Sequence, residues 1–467
     1  MNSSRFPGIP SRAAPNRRAF LQLGLTGLAS LSLAELFRKR AVAEQATGAA
    51  RKSLLVVWLH GGASHLETYD PKPLAPSEYR GPFAAIDTKI PGVQISELLP
   101  RQANLAHKFT LLRSLVHTGF CHDDGPQQIF TGHPLQGRRL RPDHPDLLTI
   151  ANHLRSDPSR VLPNYVGVNP IPYLGSAYLG PAFEAFSVTG DPNDPKFEVP
   201  NIGLKNAGDA ERIEARVDLR KKFDRLRREI DRSGNMQALD SFEAQALNVM
   251  TGPAARKAFD ISQEPEAVRD RYGRNRWGQQ CLLARRLIEA GVELVTTTLN
   301  GSLCGRVGNW DDHAVNHHVF DAMKSRAPYF DQAVATLIED LHERGLSERV
   351  LLVIGGDFGR TPKISYAADS ASGVMQPGRD HWPSANSIVF SGGGIAEGQL
   401  IGATDRRGEQ VVEGRLGIGD FVATIYRHLG IDAQQVAIAD LSGRPIPILQ
   451  EGRPIADLLP KDSTRRG

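Results

Sequence analysis

The sequence predicts an α/β fold: a doubly wound, mostly parallel sheet with helices on both faces. Three observations carry that expectation. Residues 53–59 and 350–354 are apolar runs without polar alternation, the pattern of strands covered on both faces. They open into His60-Gly61-Gly62 and Gly355-Gly356-Asp357, as strands do where an open sheet presents a ligand at its carboxyl edge. Strand-like and helix-like stretches alternate along the rest of the chain, with no internal repeat.

At the amino end, Asn16-Arg17-Arg18-Ala19-Phe20-Leu21-Gln22 and the apolar run to Leu33 have the pattern of a twin-arginine export signal, and Ala41-Val42-Ala43 offers a cleavage site. The run is too short, and too rich in Gly, Ser and Thr, to span a bilayer, which takes about 20 apolar residues. Residues 1–43 are therefore expected to leave with export through the twin-arginine translocase, to the periplasm or the exterior. What remains, 44–467, is expected to be one domain without a stable membrane span. The leader holds seven Lys/Arg and one Asp/Glu, so the remainder carries 49 basic and 51 acidic residues, a net charge of −2. Such a chain gives no electrostatic case for binding nucleic acid. Cys121, Cys281 and Cys304 are too few for a disulfide-stapled scaffold.

In chain order, 44–52 is a polar tether and 53–59 the first strand, followed by a Pro-rich loop from Asp70. Residues 97–109 have a helical pattern and 110–115 a strand pattern; Asp124 can cap a short helix with Pro126 in its first turn. The stretch near 160–205 is rich in Pro, Gly and aromatics and reads as an irregular insertion over one face of the sheet. A helical segment near 209–290 follows: 211–233 is amphipathic, and further helices are expected over 236–250 and 275–290, the last stopped by Gly291. Residues 292–299 form another buried strand, leading to Trp310-Asp311-Asp312-His313. A helix over 328–344 precedes the strand at 350, a further strand covers 387–390, and a helix over 419–428 closes at Gly430.

Histidine and aspartate gather at four strand ends: His60 with His65, His122 with Asp123, Asp311 with His313, and Asp357 with His381. Imidazole and carboxylate together are the ligand set of zinc, manganese or iron, and ligands from separate strand ends converge when the strands are neighbours. Any one of these histidines alone would read as an ordinary core or surface residue; the joint pattern marks a metal or polar catalytic site.

Gly61-Gly62-Ala63-Ser64-His65, Asp70-Pro71-Lys72-Pro73, Trp310-Asp311-Asp312-His313, Asp357-Phe358-Gly359-Arg360-Thr361-Pro362 and Asp380-His381-Trp382-Pro383, in this order, resemble the signature blocks of the domain-of-unknown-function family 1501. That family is placed in the alkaline-phosphatase-like superfamily with the sulfatases. The resemblance covers essentially the whole chain beyond the leader. It implies an alkaline-phosphatase-like sheet whose strand ends hold two divalent metals, or one where the ligand set is incomplete (zinc, manganese, iron or calcium), and a phosphate or sulfate ester of a small molecule or polysaccharide. It also implies that Asp311, His313, Asp357 and His381 are metal ligands. The chain departs from the superfamily pattern in ending its first strand with His60 rather than Asp, and in placing Phe358 after Asp357 where a ligand His is expected. Cys121-His122-Asp123 lacks the motif that sulfatases convert to formylglycine.

With a metal in place, His122 or His60 would handle protons. Ser64 is a candidate nucleophile, or a turn hydroxyl bonded to the backbone. Arg360 would clamp an anionic substrate, or pair with Asp357. His60-Gly61-Gly62 also suits an α/β-hydrolase oxyanion segment, but no Gly-x-Ser-x-Gly accompanies it, and Asp357-Phe358-Gly359 lacks the other kinase motifs. The alternative from another class is an inactive envelope, carbohydrate-binding or partner-binding protein that keeps the fold.

Overall fold

The computed structural model describes residues 51–459 except 136, 138, 158–159, 200–201, 203–251 and 304–307. The expected leader, the amphipathic helices over 211–250 and Cys304 lie outside the described residues.

Eight strands make one central sheet: β1 (Ser53–Leu59), β2 (Thr110–Leu115), β3 (Tyr165–Val168), β4 (Phe186–Val188), β5 (Leu294–Thr298), β6 (Val350–Gly356), β7 (Asn386–Gly392) and β8 (Gln399–Ile401). Their order across the sheet is β8-β2-β7-β6-β1-β5-β3-β4. Every pairing is parallel except those of β7, which runs antiparallel to β2 and β6. This is the doubly wound, mostly parallel α/β architecture that the sequence predicts.

The unbroken apolar pattern of β1 has its cause in the two layers of helices. Leu55, Val57 and Leu59 face one core, which also holds Trp277, Leu282 and Leu287 of α4 (Arg276–Glu289) and Met323, Phe330 and Leu337 of α5 (Val319–Glu343). Trp58 faces the other side, 4.9 Å from Phe130 of α2 (Gly125–Thr131), which in turn meets Phe421 of α6 (Ile418–His428). Full burial of each such side chain contributes about 1.5–3 kcal/mol, so a polar residue on either face of β1 would be costly.

Three expectations need correction. The stretch near 160–205 is not wholly irregular, because β3 and β4 lie within it and extend the sheet; at four and three residues they are too short to show a period. The helix expected over 328–344 begins nine residues earlier, at Val319, where His318 Nδ1 accepts the Asp321 N–H. Val319, Met323, Ala327, Phe330, Val334 and Leu337 form one buried stripe through Pro328, and that burial outweighs the single hydrogen bond the proline forgoes. Asp124 precedes α2 as expected, but its carboxylate accepts from Gln128 Nε2 at 2.7 Å instead of capping the backbone. Among the described residues no helix is long and apolar enough to cross a membrane.

Candidate metal centre

Parallel strands bring their carboxyl ends to one edge. His60 follows β1, Asp357 follows β6, His122 lies in the segment after β2, and Asp311 and His313 in the segment after β5. The reversed direction of β7 puts its first residue at that same edge, and His381 arrives five residues before it. A two-residue ladder fixes His381 opposite Arg360.

Two glycines let the loops close. Gly61 and Gly62 have φ of 106° and 81°, and a Cβ on either would stand 2.6 Å from the Asp311 nitrogen or the Phe358 oxygen respectively. In the segment 310–313 the side chains alternate: Trp310 and Asp312 are fully buried, Trp310 Nε1 donating to Leu299 O and Asp312 pairing with Arg326. Asp311 and His313 are thereby turned outward.

Four atoms converge there. Asp311 Oδ1 lies 3.2 Å from His122 Nε2, 3.0 Å from His313 Nε2 and 3.3 Å from His381 Nε2. His381 Nε2 is in turn 2.9 Å from His313 Nε2 and 3.1 Å from His122 Nε2. A tetrahedral ion with bonds of about 2.0–2.1 Å would set its donors roughly 3.3 Å apart, close to these separations. The far nitrogen of each imidazole is committed to an acceptor: His122 Nδ1 to Asp357 Oδ2 at 2.9 Å, His313 Nδ1 to Asp380 Oδ1 at 2.6 Å, and His381 Nδ1 to the Phe120 carbonyl. With Nδ1 donating, each Nε2 turns a lone pair toward the common point, which is the arrangement of carboxylate-supported metal histidines.

The charges agree with that geometry. Burial pushes the Asp311 carboxyl up, but hydrogen bonds from His122, His313 and His381 and the Arg360 charge outweigh it and hold it far below the usual carboxylate range. Asp357 is held low in the same way, burial being overcome by His122 and His60. Burial lowers His122, yet its bonds to Asp311 and Asp357 lift it to about 9; His313 is raised, chiefly by Asp311. His381 is lowered by burial, with Arg360 and His122 adding to the effect. Two ionised carboxylates facing three imidazoles favour positive charge at the centre, as protons or as a cation.

The structure gathers His60, His122, Asp311, His313, Asp357, Arg360 and His381 at one place, and parts some of them from the role expected. Asp357 stands outside the converging set: its oxygens accept from Trp58 Nε1 at 2.8 Å, Gly61 N at 2.9 Å and His122, with His60 Nδ1 at 3.3 Å. His122, expected to move protons, is instead among the four. Arg360 is fully buried, and its nitrogens go to the carbonyls of Gly61, Gly62, Trp310 and Arg379 and to Asp311 at 2.8 Å, so it pairs with Asp311 rather than Asp357 and its donors are taken up within the protein. Ser64 is fully buried with its hydroxyl unpartnered, which removes it as an accessible nucleophile and as a turn cap alike. His60, with 18% of its side chain exposed, stays beside the cluster without joining it. Sequence reasoning missed Asp380 as the support of His313, although its adjacency to His381 was the available signal, and the Phe120 carbonyl, for which sequence offers none. A groove of about 500 Å³ lined in part by Phe197, Val199, Phe259 and Arg269 shares no residue with this centre.

A family model described as "Protein of unknown function (DUF1501)" matches residues 51–459. The chain belongs to this family. No curated protein matches it. Among solved structures, this DUF1501 member is similar to the PsFucS1 sulfatase from Pseudoalteromonas sp., at 13% identity over 85% of this chain and 72% of that one, with a TM-score of 0.35. It is also similar to the zinc complex of the C-terminal periplasmic domain of EcEptC from Escherichia coli, at 10% identity over 83% and 84% of the two chains and a TM-score of 0.35. A third is an alkaline phosphatase superfamily protein from Vibrio parahaemolyticus, at 10% identity over 82% and 68%, with a TM-score of 0.33. Likenesses this distant say nothing of what the DUF1501 chain binds or cleaves.

Proposed function

We propose that this protein is an exported, metal-dependent hydrolase of phosphate or sulfate esters, acting without formylglycine, whose His122, Asp311, His313 and His381 hold one divalent cation. The supporting observation is that these four donor atoms converge while each imidazole is oriented through its other nitrogen by an acceptor. Three nitrogen donors favour zinc, iron or manganese over calcium, which prefers six to eight oxygens. The four side chains are 15–23% exposed, so one face of the site stays open to a ligand. When bound, the ion supplies Lewis acidity to an ester oxygen and acidity to a water. Asp357 orients His122 and keeps it basic; Asp380 does the same for His313. His60, 5.5 Å from His122 between ring centres, is the group left to hold or move a proton.

The test is metal analysis of the purified protein followed by a screen with aryl phosphate, aryl sulfate and phosphodiester substrates. Near-stoichiometric zinc, iron or manganese is expected, lost in His381→Ala. A folded wild type that neither carries nor takes up metal refutes the site. Metal without turnover of any of the three esters transfers the fold to the binding role.

A further inference from the structure

We propose that Tyr173 and Phe120 are specificity-determining walls of this site, selecting ligands whose organic group is a ring, sugar or aryl, over short-chain ones. The inference rests on the hydrolase reading only for the anionic end of the ligand. Among the described residues, three other than glycine hold left-handed backbone: Asn169 at φ 55°, Tyr173 at 65° and Ala177 at 43°. All three fall in the single stretch that leaves β3. Asparagine tolerates that region; a bulky aromatic occupies it only where its surroundings hold it there, a condition that gathers at ligand clamps.

The holding contacts are visible on both sides of Tyr173. Before it, Asn169 Nδ2 donates to Thr298 O at 2.9 Å and to Asn300 Oδ1 at 2.5 Å, tying the stretch to the end of β5. After it, the Gly175 N–H donates at 2.9 Å to Asp146, the buried carboxylate that also caps α3 (Leu147–Leu154). The Tyr173 ring so fixed lies 6.2 Å from that of His60, whose ring in turn lies 5.5 Å from that of His122. An organic group that extends from the cluster past His60 would meet it. Phe120 supplies the second wall: its carbonyl holds His381, and the residue is 59% exposed, a large apolar residue beside a polar centre. Aromatic faces favour flat partners, with an advantage that corresponds to about 2- to 12-fold in affinity.

Calorimetric binding of phenylphosphonate, glucose 1-phosphate and methylphosphonate to the zinc-loaded protein tests this. At least one ring-bearing probe should bind about 3- to 10-fold tighter than methylphosphonate. Which of the two does so tells aryl from sugar. Tyr173→Asn, a residue suited to left-handed backbone, should reduce the preference while leaving the thermal midpoint and zinc content unchanged; Phe120→Ala should reduce it independently. Equal binding of all three probes, binding of none, or an undiminished preference in both variants overturns the inference. Discrimination without cleavage of any ester would sink the hydrolase reading and leave this one standing; cleavage without discrimination would do the reverse.

Discussion

Asp357→Asn tests whether Asp357 orients His122 at the proposed metal centre or itself ligates the ion. In the wild type, Oδ1 accepts from Trp58 Nε1, and Oδ2 accepts from Gly61 N and His122 Nδ1. Asparagine keeps the shape but has one acceptor. With its oxygen toward Gly61 and His122, its NH2 confronts the Trp58 indole N–H; turned the other way, two donors lose their acceptor. The first arrangement is cheaper and leaves one buried donor unsatisfied, a loss of about 1–3 kcal/mol. His122 then retains a partner, but a neutral one, and its Nε2 becomes a poorer donor. Zinc affinity should fall about 10-fold, or about 1.4 kcal/mol, the lower end of the range for such support residues. Asp357→Ala should lie toward the upper end, near 100-fold. Competition with a chromophoric chelator measures both, with thermal unfolding of the zinc-free forms reporting the packing cost. Asparagine and alanine variants that bind zinc within about twofold of wild type would refute this account of the centre.

Asp380→Asn should lower zinc affinity by no more than about threefold in the same assay, because Asp380 is 57% exposed and water can replace it behind His313. Asp312→Ala should destabilise by about 3–5 kcal/mol in urea unfolding, since it strands Arg326, which is buried at 4.5 Å over the Trp310 ring. Burial lowers His428 to about 4, with Lys52 and Arg155 adding to the effect and its bond to the Ser53 carbonyl opposing it. Its folded pKa lies below the unfolded value, so the unfolded chain takes up the proton first and stability is lost as pH falls from about 6.5 to about 4, by roughly 2–3 kcal/mol. His428→Gln should flatten that part of the stability profile, and an unchanged slope would count against the assignment.

The parts of the fold legible in the sequence are those whose burial is two-sided. β1 and β6 sit between two helix layers, so every residue after Ser53 is apolar or glycine and the run is plain in the sequence. β3 and β4 escaped notice because a three- or four-residue strand carries no period, and the reversal of β7 has no local signature. At the site, residue type marked Asp311, His313, Asp357 and His381 as candidates but could not order them in depth. Asp357 and Asp311 are the same side chain; the indole of Trp58 and the amide of Gly61, 299 and 296 positions away in sequence, are what hold Asp357 inward. Arg360 is expected from sequence to clamp an anionic substrate or to pair with Asp357, and its five-fold capture by carbonyls and Asp311 is a purely tertiary fact.

His122 and His381 are 259 positions apart, and His381 and His313 are 68. No short peptide of this chain carries the full donor set, so a chain still emerging from synthesis offers an ion at most a fragment of it. An ion held by all four donors would have to wait until five neighbouring strands are paired. An ion that then binds draws together segments whose closure in the unfolded chain would be entropically expensive, and its affinity adds to the native state almost alone. In a refolding experiment zinc should accordingly slow unfolding and leave the rate of folding nearly untouched.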